Sequence, residues 1–427
     1  MLKAHAARRR GRPSQPRVGL ALAGGGPLGG IYEIGALLAF ADAFEGVDLN
    51  DLYVYVGVSS GSLIAAGLAN GLSAAELYRI YIESASSEHP ISADVFLRPA
   101  FGEYYRRAVG LPMLLLDSLW NTLQHPLERG LWAALRDVGP AIPAGVFDSA
   151  PMGRFLQRLF TTGGRTNDFR QLLHRLFVIA TDLDTGESVE FGSKGYEHVP
   201  ISKAVQASTA LPGLFPPTRI DGRDFVDGAL KKTLHASVAL RQGATLVLCI
   251  NPLVPFDASL ARKHGKPKHD KLIEGGLPVV LAQTFRALIH SRMEVGMAQY
   301  DSLYPDADVL LFEPDPDDAE MFFTNVFSYA NRRLVCNHAY QRTLREIARR
   351  RDALAPILAR HDIGLRLEVL DQDKPHVKYS PSLMPMTNAA VKTQLDASLD
   401  RLDGWLKRRS PAASVSKGRR RTAERSR

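Results

Sequence analysis

A serine flanked by glycines stands between a predicted strand and a predicted helix. The segment Gly57-Val58-Ser59-Ser60-Gly61 follows an apolar run at 52–56 and precedes a helical pattern at 60–71. Gly-x-Ser-x-Gly on such a turn is typical of a nucleophile elbow, where the glycines allow a sharp bend that leaves the hydroxyl exposed. A glycine-rich turn without chemistry is the alternative. The flanking strand and helix favour Ser59 as a nucleophile, with Gly57 and Gly61 as the turn glycines.

A second glycine-rich segment, Gly24-Gly25-Gly26-Pro27-Leu28-Gly29, lies between a predicted strand at 17–23 and a predicted helix at 30–45. Its spacing fits the dinucleotide fingerprint, which also requires an acidic residue at the end of the second strand. That strand ends in Gly57-Val58-Ser59 instead. The alternative is an oxyanion hole, since N–H groups at a helix N-terminus stabilise developing negative charge. We favour the oxyanion hole, with four candidate glycines: Gly24, Gly25, Gly26 and Gly29.

A serine nucleophile also needs a proton acceptor. Asp227 precedes Gly228 and Ala229 and follows an apolar pair, so a turn would hold its carboxylate. In a triad the acceptor is a histidine, and His235 is the best placed of the twelve histidines. Asp-Gly is also a common turn dipeptide, and His235 could be a packing histidine. Residue types alone leave both acceptors open.

The elements around these motifs alternate between short strands and helices. This order predicts an α/β fold with a mainly parallel sheet covered by helices on both faces. Hairpins are predicted at 175–192 and 219–226, and a buried parallel strand at 244–252. Beyond residue 260 the pattern predicts long helices at 271–300, 318–352 and 387–408, with one more strand at Leu365–Leu370.

The composition is that of an ordinary globular protein, with 427 residues of which 45% are hydrophobic. The two cysteines show no metal-ligand spacing, so we expect neither a metal nor a cofactor. The net charge of +8 belongs to the ends of the chain: residues 1–17 carry +6, residues 407–427 carry +8, and the chain between them carries −6. We predict disordered, solvated basic tails; peripheral contact of these tails with anionic membranes is the functional alternative, and nucleic acid is not expected to be a partner.

Targeting signals are not predicted. The apolar run Val18–Ala23 after the basic N-terminus is too short for a signal peptide. No uninterrupted apolar stretch reaches the 18 or so residues of a transmembrane helix. A cytoplasmic protein with peripheral membrane contact is therefore predicted.

The motifs together resemble a known family. The order glycine-rich loop, Gly-x-Ser-x-Gly and Asp-Gly-Ala, with the segments IATDLDTGE (179–187) and AVQASTALPGLFPP (204–217), is similar to the patatin-like phospholipases over about residues 17–255. The resemblance implies a fold related to the α/β-hydrolases and a catalytic dyad without histidine. It implies that Ser59 is the nucleophile and Asp227 the proton acceptor, with the amides of Gly25 and Gly26 forming much of the oxyanion hole.

One position departs from the family's loop, which usually reads Gly-Gly-Gly-x-Arg/Lys-Gly. Leu28 occupies the basic position. We predict a serine lipid acyl hydrolase of the phospholipase A or lysophospholipase type. A Ser-His-Asp esterase for small soluble esters and a catalytically weak lipid-binding or scaffold protein remain as alternatives.

The predicted domain organisation has four parts. A basic tail at 1–16 precedes a catalytic domain at 17–255, which contains a helical insertion at 86–150 as a candidate lid. A helix-rich C-terminal extension at 256–409 and a basic tail at 410–427 follow.

Overall fold

Buried strands of five to eight residues carry the candidate site residues at their ends. The computed structural model describes residues 4–5, 15–83, 98, 100, 144–265, 272–324, 329–371 and 377. Most of the predicted insertion at 86–150, the predicted helix at 387–408 and the C-terminal basic tail lie outside the described residues.

The main sheet of the described chain has nine strands, and a separate pair forms a second sheet. The strands are β1 (Ala4–His5), β2 (Val18–Leu22), β3 (Phe44–Glu45), β4 (Val54–Val58), β5 (Arg175–Asp182), β6 (Ser188–Phe191), β7 (Thr218–Ile220), β8 (Arg223–Asp227), β9 (Leu246–Ile250), β10 (Asp308–Phe312) and β11 (Gly364–Leu365). The order is β1-β10-β9-β2-β4-β5-β8-β7, with β6 also paired to β5, and β11 pairs with β3. The five central strands, β10 to β5, run parallel, whereas β1, β6, β7 and β8 pair antiparallel. The predicted mainly parallel sheet and both hairpins are confirmed.

Helices connect and cover these strands. The described helices are α1 (Gly26–Ala43), α2 (Ser60–Ala69), α3 (Ala74–Tyr78), α4 (Ala150–Thr161), α5 (Ile201–Ser208), α6 (Ala236–Arg241), α7 (Ala258–Lys263), α8 (Gly276–Leu303), α9 (Ala319–Phe323), α10 (Tyr329–Arg349), α11 (Arg351–Ala359) and α12 (Leu367–Leu370). Along the described residues, every helix is too short or too polar to cross a bilayer.

The sheet is buried on both faces because successive side chains of a strand point to opposite sides. On one face, Val247 and Leu311 pack with Val238 of α6 and Met293 of α8. On the other face, the ring of Phe312 meets that of Phe40 in α1, with centroids 4.7 Å apart. Strands buried on both faces read as continuous apolar runs, which is why the central strands were predictable.

The C-terminal part contributes more than a helical layer. Strand β10 joins the main sheet beside β9, so the sheet does not end at the boundary predicted at residue 255. The predicted strand at Leu365–Leu370 is wrong from residue 367 on, because α12 occupies Leu367–Leu370. Ala4–His5 pair with β10, so the predicted disordered tail at 1–16 is wrong for these two residues. Residues Met1–Val377 form one compact unit, and the second unit, Lys378–Arg427, lies outside the described residues.

Helix α1, which follows β2, begins four residues earlier than predicted. Helix α1 starts at Gly26 rather than at residue 30 and ends at Ala43. A Cβ at Gly35 would clash with the carbonyl of Cys336 in α10, so only glycine permits this close helix–helix contact. Tyr340 of α10 also donates a hydrogen bond of 2.7 Å to Asp42. The C-terminal helix α10 therefore holds α1, the helix that follows the glycine-rich loop.

Candidate active site

Ser59 lies on a sharp turn between β4 and α2, as the nucleophile-elbow pattern predicts. Its backbone has φ 51° and ψ −123°, a left-handed conformation that costs a non-glycine residue on the order of 1–3 kcal/mol. The residue is 5% exposed. Its carbonyl accepts hydrogen bonds from the N–H and the hydroxyl of Ser62, at 2.9 and 2.6 Å. The first turn of α2 thus holds the strained serine in place.

The elbow glycines are required by close packing. A Cβ at Gly57 would clash with the backbone of Ser62, and a Cβ at Gly61 would lie 2.6 Å from the carbonyl oxygen of Ala23. The turn therefore folds back on itself and presses α2 against the end of β2. Both glycines predicted for the elbow have this steric reason to be glycine.

Asp227 directly contacts the serine although 168 positions separate them in the chain. Ser59 Oγ donates a hydrogen bond of 2.6 Å to Asp227 Oδ2. The other carboxylate oxygen, Oδ1, accepts a hydrogen bond of 2.8 Å from the N–H of Ala229. The Asp-Gly-Ala turn therefore fixes the carboxylate with one oxygen aimed at the serine.

Strand register explains this approach. Val58 of β4 pairs with Ile179 of β5, and the next residue of β5, Ala180, pairs with Asp227 of β8. After Asp227 the chain turns back over β5, because a Cβ at Gly228 would clash with the carbonyl of Ile179 and lie 3.2 Å from Val58 Cγ1. Gly228 thus lets the chain pass close enough for the aspartate and the serine to meet.

Burial sets the acidity of Asp227. The side chain is 2% exposed, and burial raises its pKa from 3.8 to about 6. The hydrogen bonds from Ser59 and the Ala229 N–H act in the opposite direction. A carboxylate with a pKa of about 6 is ionised at neutral pH and is a stronger base than an exposed aspartate, which suits proton transfer from a hydroxyl.

Ser208, at the end of α5, is part of the site although no catalytic motif of the sequence includes it. Its hydroxyl donates a hydrogen bond of 2.5 Å to the carbonyl of Ile179 and accepts one of 2.8 Å from the N–H of Ser59. The Ser208 hydroxyl therefore links Ser59 to strand β5 and serves as the acceptor for the backbone N–H of Ser59. Ser208 lies in the AVQASTALPGLFPP segment, which was the available signal for it.

The glycine-rich loop lies beside the serine, at the end of β2. A Cβ at Gly24 would lie 3.1 Å from the Cβ of Ser59, and a Cβ at Gly25 would lie 2.5 Å from Cγ of Pro252. Gly26 has φ +61°, the left-handed region that favours glycine. The loop is wedged between the elbow and the segment after β9, with no room for side chains at Gly24 and Gly25.

Among the residues that the structure describes, two of the four predicted oxyanion glycines have amides without an acceptor. The N–H of Gly24 donates to the carbonyl of Thr233 at 3.3 Å, and that of Gly29 donates to the carbonyl of Gly25 at 3.0 Å. In the described part of the chain, the N–H groups of Gly25 and Gly26 donate to no protein atom. The prediction is therefore corrected for Gly24 and Gly29. Gly29 differs because α1 begins at Gly26, so its N–H already makes an i to i−4 helical bond.

Within the described residues, the amides of Gly25 and Gly26 at the start of the 18-residue helix α1 have no protein acceptor and are placed where they can stabilise negative charge. The peptide dipoles of α1 place partial positive charge at this end, and the N–H groups point outward from it. Leu28, in the first turn, is buried. An apolar, inward-facing side chain thus replaces the cation that the family pattern carries there.

His235 is not positioned as a triad base. Its Nε2 lies 3.0 Å from the carbonyl oxygen of Lys232, and the residue directly precedes α6 as its N-cap. Burial, followed by the positive charge of Lys232, lowers its pKa to about 3, so the imidazole is neutral at neutral pH. The direct hydrogen bond between Ser59 and Asp227 leaves no place for an imidazole between them.

Comparisons with known proteins give several relatives. An uncharacterized protein of Acanthamoeba polyphaga mimivirus is 25% identical over 223 residues, which cover 52% of this chain and 60% of that protein. An uncharacterized NTE family protein of Mycobacterium tuberculosis is 27% identical over 153 residues, 32% of this chain and 25% of that protein. The chain thus matches less than two thirds of the length of either relative.

Among solved structures, VipD from Legionella pneumophila is 15% identical, with 95% of this chain and 89% of that chain covered and a TM-score of 0.32. Human GIVD cytosolic phospholipase A2 is 12% identical, with 81% and 60% covered and a TM-score of 0.33. Scores this low support no inference about this chain. The family model described as patatin-like phospholipase matches residues 20–240, which include the glycine-rich loop, the serine elbow and Asp227. Since this match spans more than half of the chain, the protein belongs to the patatin-like phospholipase family.

Proposed function

We propose that this protein is a serine lipid acyl hydrolase that uses Ser59 and Asp227 as a catalytic dyad. The observation that carries the proposal is the 2.6 Å hydrogen bond from the serine hydroxyl to a buried carboxylate. A hydroxyl that donates directly to an ionised base is prepared for nucleophilic attack. Membership of the patatin-like phospholipase family supports a lipid ester as the substrate class.

In the proposed mechanism, Ser59 Oγ attacks the carbonyl carbon of an acyl ester while Asp227 Oδ2 accepts its proton. Negative charge on the carbonyl oxygen is stabilised by the N–H groups of Gly25 and Gly26. The protonated Asp227 then donates to the departing alcohol, which leaves an acyl-serine ester. Asp227 next accepts a proton from water, the resulting hydroxide attacks the acyl-enzyme, and release of the fatty acid returns the proton to Ser59.

The environment of Asp227 supports a role as base without histidine. A fully exposed aspartate would be a weak base toward a hydroxyl, whereas a buried one with a pKa of about 6 is better matched to neutral pH. The hydrogen bond from the N–H of Ala229 keeps the carboxylate oriented through both half-reactions. His235, with its lowered pKa and its bond to the carbonyl of Lys232, argues against a Ser-His-Asp esterase.

The test is hydrolysis of a panel of phospholipids, lysophospholipids and neutral acylglycerols by the purified protein and by Ser59→Ala. We expect release of fatty acid from at least one lipid by the wild type and none above background by the variant. Loss of about 10⁴-fold or more is typical when a serine nucleophile is removed. Equal turnover by the two proteins would refute the assignment, and no turnover by the wild type on any ester would favour a lipid-binding or scaffold protein.

A further inference from the structure

Helix α8 presents apolar side chains to solvent. A surface helix ordinarily turns its apolar side toward the core. Here six large apolar residues of α8 are each between 46% and 69% exposed, and the first five of them lie between residues 277 and 295. The spacing of these five by three, four and seven residues places them along one side of the helix. This outer stripe consists of Leu277, Leu281, Phe285, Leu288 and Val295.

Polar contacts on the inner side fix the orientation of this helix. Gln283 donates to the carbonyl of Phe256 at 2.8 Å and accepts from its N–H at 3.0 Å. Arg286 donates to the carbonyl of Val254 at 3.3 Å and lies over the ring of Phe322, 4.8 Å from its centre. Because these polar groups are bonded inward, rotating the helix to bury the outer stripe would break them.

The same helix is bonded to two segments that adjoin the candidate active site. The segment held by Gln283 and Arg286 follows Pro252, which abuts the oxyanion-loop residue Gly25. Further along α8, Arg292 donates to the carbonyls of Leu230 and Lys231 at 3.4 Å each, directly after the Asp-Gly-Ala turn. The outer stripe therefore lies on an element that adjoins the proposed oxyanion hole and the proposed base.

The sequence that contains α8 has a net charge opposite in sign to that of the chain between the two basic ends. Residues 262–295 contain seven Lys and Arg against three Asp and Glu, whereas the chain between the two basic ends carries −6 overall. Arg262, Lys263 and Arg292 are exposed. Exposed apolar side chains combined with basic ones are typical of a helix that lies in the interface of an anionic membrane.

We propose that the outer stripe of α8 inserts into the interface of an anionic lipid bilayer and brings the proposed active site to membrane lipids. The choice of a bilayer as the occupant follows from the basic sequence around α8 and from the contacts of α8 with the segments that adjoin the site. The benefit to lipid hydrolysis rests on the proposed function, whereas vesicle binding itself does not require catalysis.

The test uses the full chain with Ser59→Ala, so that the lipids stay intact. Co-sedimentation is measured with phosphatidylcholine vesicles and with vesicles that also contain about 30% phosphatidylserine. We expect the anionic vesicles to be bound at least about tenfold more tightly, and Leu281→Glu/Phe285→Glu to weaken this binding by at least about tenfold. The matched control is Leu173→Glu, at a position that is 94% exposed and precedes β5, at the end of the parallel strands away from Ser59. This control should bind like its parent.

Binding to anionic vesicles that survives in Leu281→Glu/Phe285→Glu would overturn the proposal. If that variant instead converts a dimer to a monomer in light scattering and leaves vesicle binding unchanged, the stripe is a contact between copies and the proposal is also wrong. Unchanged thermal unfolding confirms that the variant is folded, and Phe285→Ser provides a milder version of the same change.

Hydrolysis of a short-chain, monomeric ester separates this inference from the proposed function. With Ser59 restored, the stripe variant should keep this turnover within about twofold while it loses activity on anionic vesicles. If the wild type hydrolyses no ester, the proposed function fails, and the vesicle-binding result still decides the proposal about α8.

Discussion

Replacing Asp227 with asparagine should stabilise the protein at neutral pH while it removes the proposed base. The carboxylate is buried, and its pKa is raised from 3.8 to about 6. An asparagine retains both hydrogen bonds, since its oxygen can accept from the N–H of Ala229 and its amide can donate to Ser59 Oγ. The substitution therefore removes the cost of a buried negative charge and keeps two hydrogen bonds at the same positions, with the direction of the one to Ser59 reversed.

The expected gain in the free energy of unfolding follows from the change in the pKa of Asp227. A rise of about two units corresponds to about 3 kcal/mol. The native carboxyl keeps its proton up to about pH 6, whereas the unfolded one loses it near 3.8. Between these values the native state binds more protons, so the wild-type free energy of unfolding falls as the pH rises through this window. The full energetic cost of burying the carboxylate is therefore present above the pKa of the native state. It is absent below the pKa of the unfolded state.

Urea unfolding of the wild type and Asp227→Asn measures this effect. The variant should be more stable by about 3 kcal/mol near pH 7.5 and by about half as much near pH 5. Asp184→Asn, in an exposed turn, is the control and should show no such dependence. If Asp227→Asn is less stable than the wild type near pH 7.5, or if the difference does not change with pH, the account of Asp227 as a buried, ionised base is refuted.

Three further predictions concern activity on a soluble ester. Wild-type kcat/KM should fall as the pH drops through about 6, because a protonated Asp227 cannot accept the serine proton; a flat profile would contradict its role as base. Ser208→Ala should lower kcat about tenfold to a hundredfold, because the N–H of Ser59 loses its acceptor. For the same reason the free energy of unfolding should fall by about 1–3 kcal/mol. An unchanged kcat would show that the Ser208 hydroxyl does not position the nucleophile. Gly25→Ala should lower kcat by about a hundredfold or more, because the new Cβ would lie 2.5 Å from Cγ of Pro252 and displace the loop amides. If this variant keeps the wild-type kcat, the oxyanion site lies elsewhere.

Local sequence patterns predicted the elements that carry the site. The apolar run before Ser59 and the helical pattern after it are sufficient for the elbow, because strand, sharp turn and helix are each encoded by neighbouring residues. The hairpins were predictable for the same reason, from turn residues such as Asp221-Gly222 between short apolar runs. The meeting of Ser59 with Asp227 depended instead on the family resemblance, because strand register between distant segments is a tertiary property.

Other features required the structure. The start of α1 was missed because glycines have low helix propensity, although Pro27 in the first turn is a recognised start signal. That error assigned Gly29 to the oxyanion hole. The role of Ser208 arises from a contact across the fold, which the AVQASTALPGLFPP segment alone does not specify. Strand β10 is short and lies between long helical patterns, so only its pairing with β9 reveals that it extends the sheet.

The rate at which a fluorophosphonate phosphonylates Ser59, with loss of fluoride, tests the central claim most directly, since it reports the reactivity of the hydroxyl whatever the natural lipid. Labelling is followed by mass spectrometry of the Ser59 peptide in the wild type, Asp227→Asn and His235→Gln. We expect the wild type and His235→Gln to label at similar rates and Asp227→Asn to label at least about a hundredfold more slowly, in line with the loss of a general base. Wild-type labelling by Asp227→Asn, or loss of labelling in His235→Gln, would contradict the Ser59–Asp227 dyad.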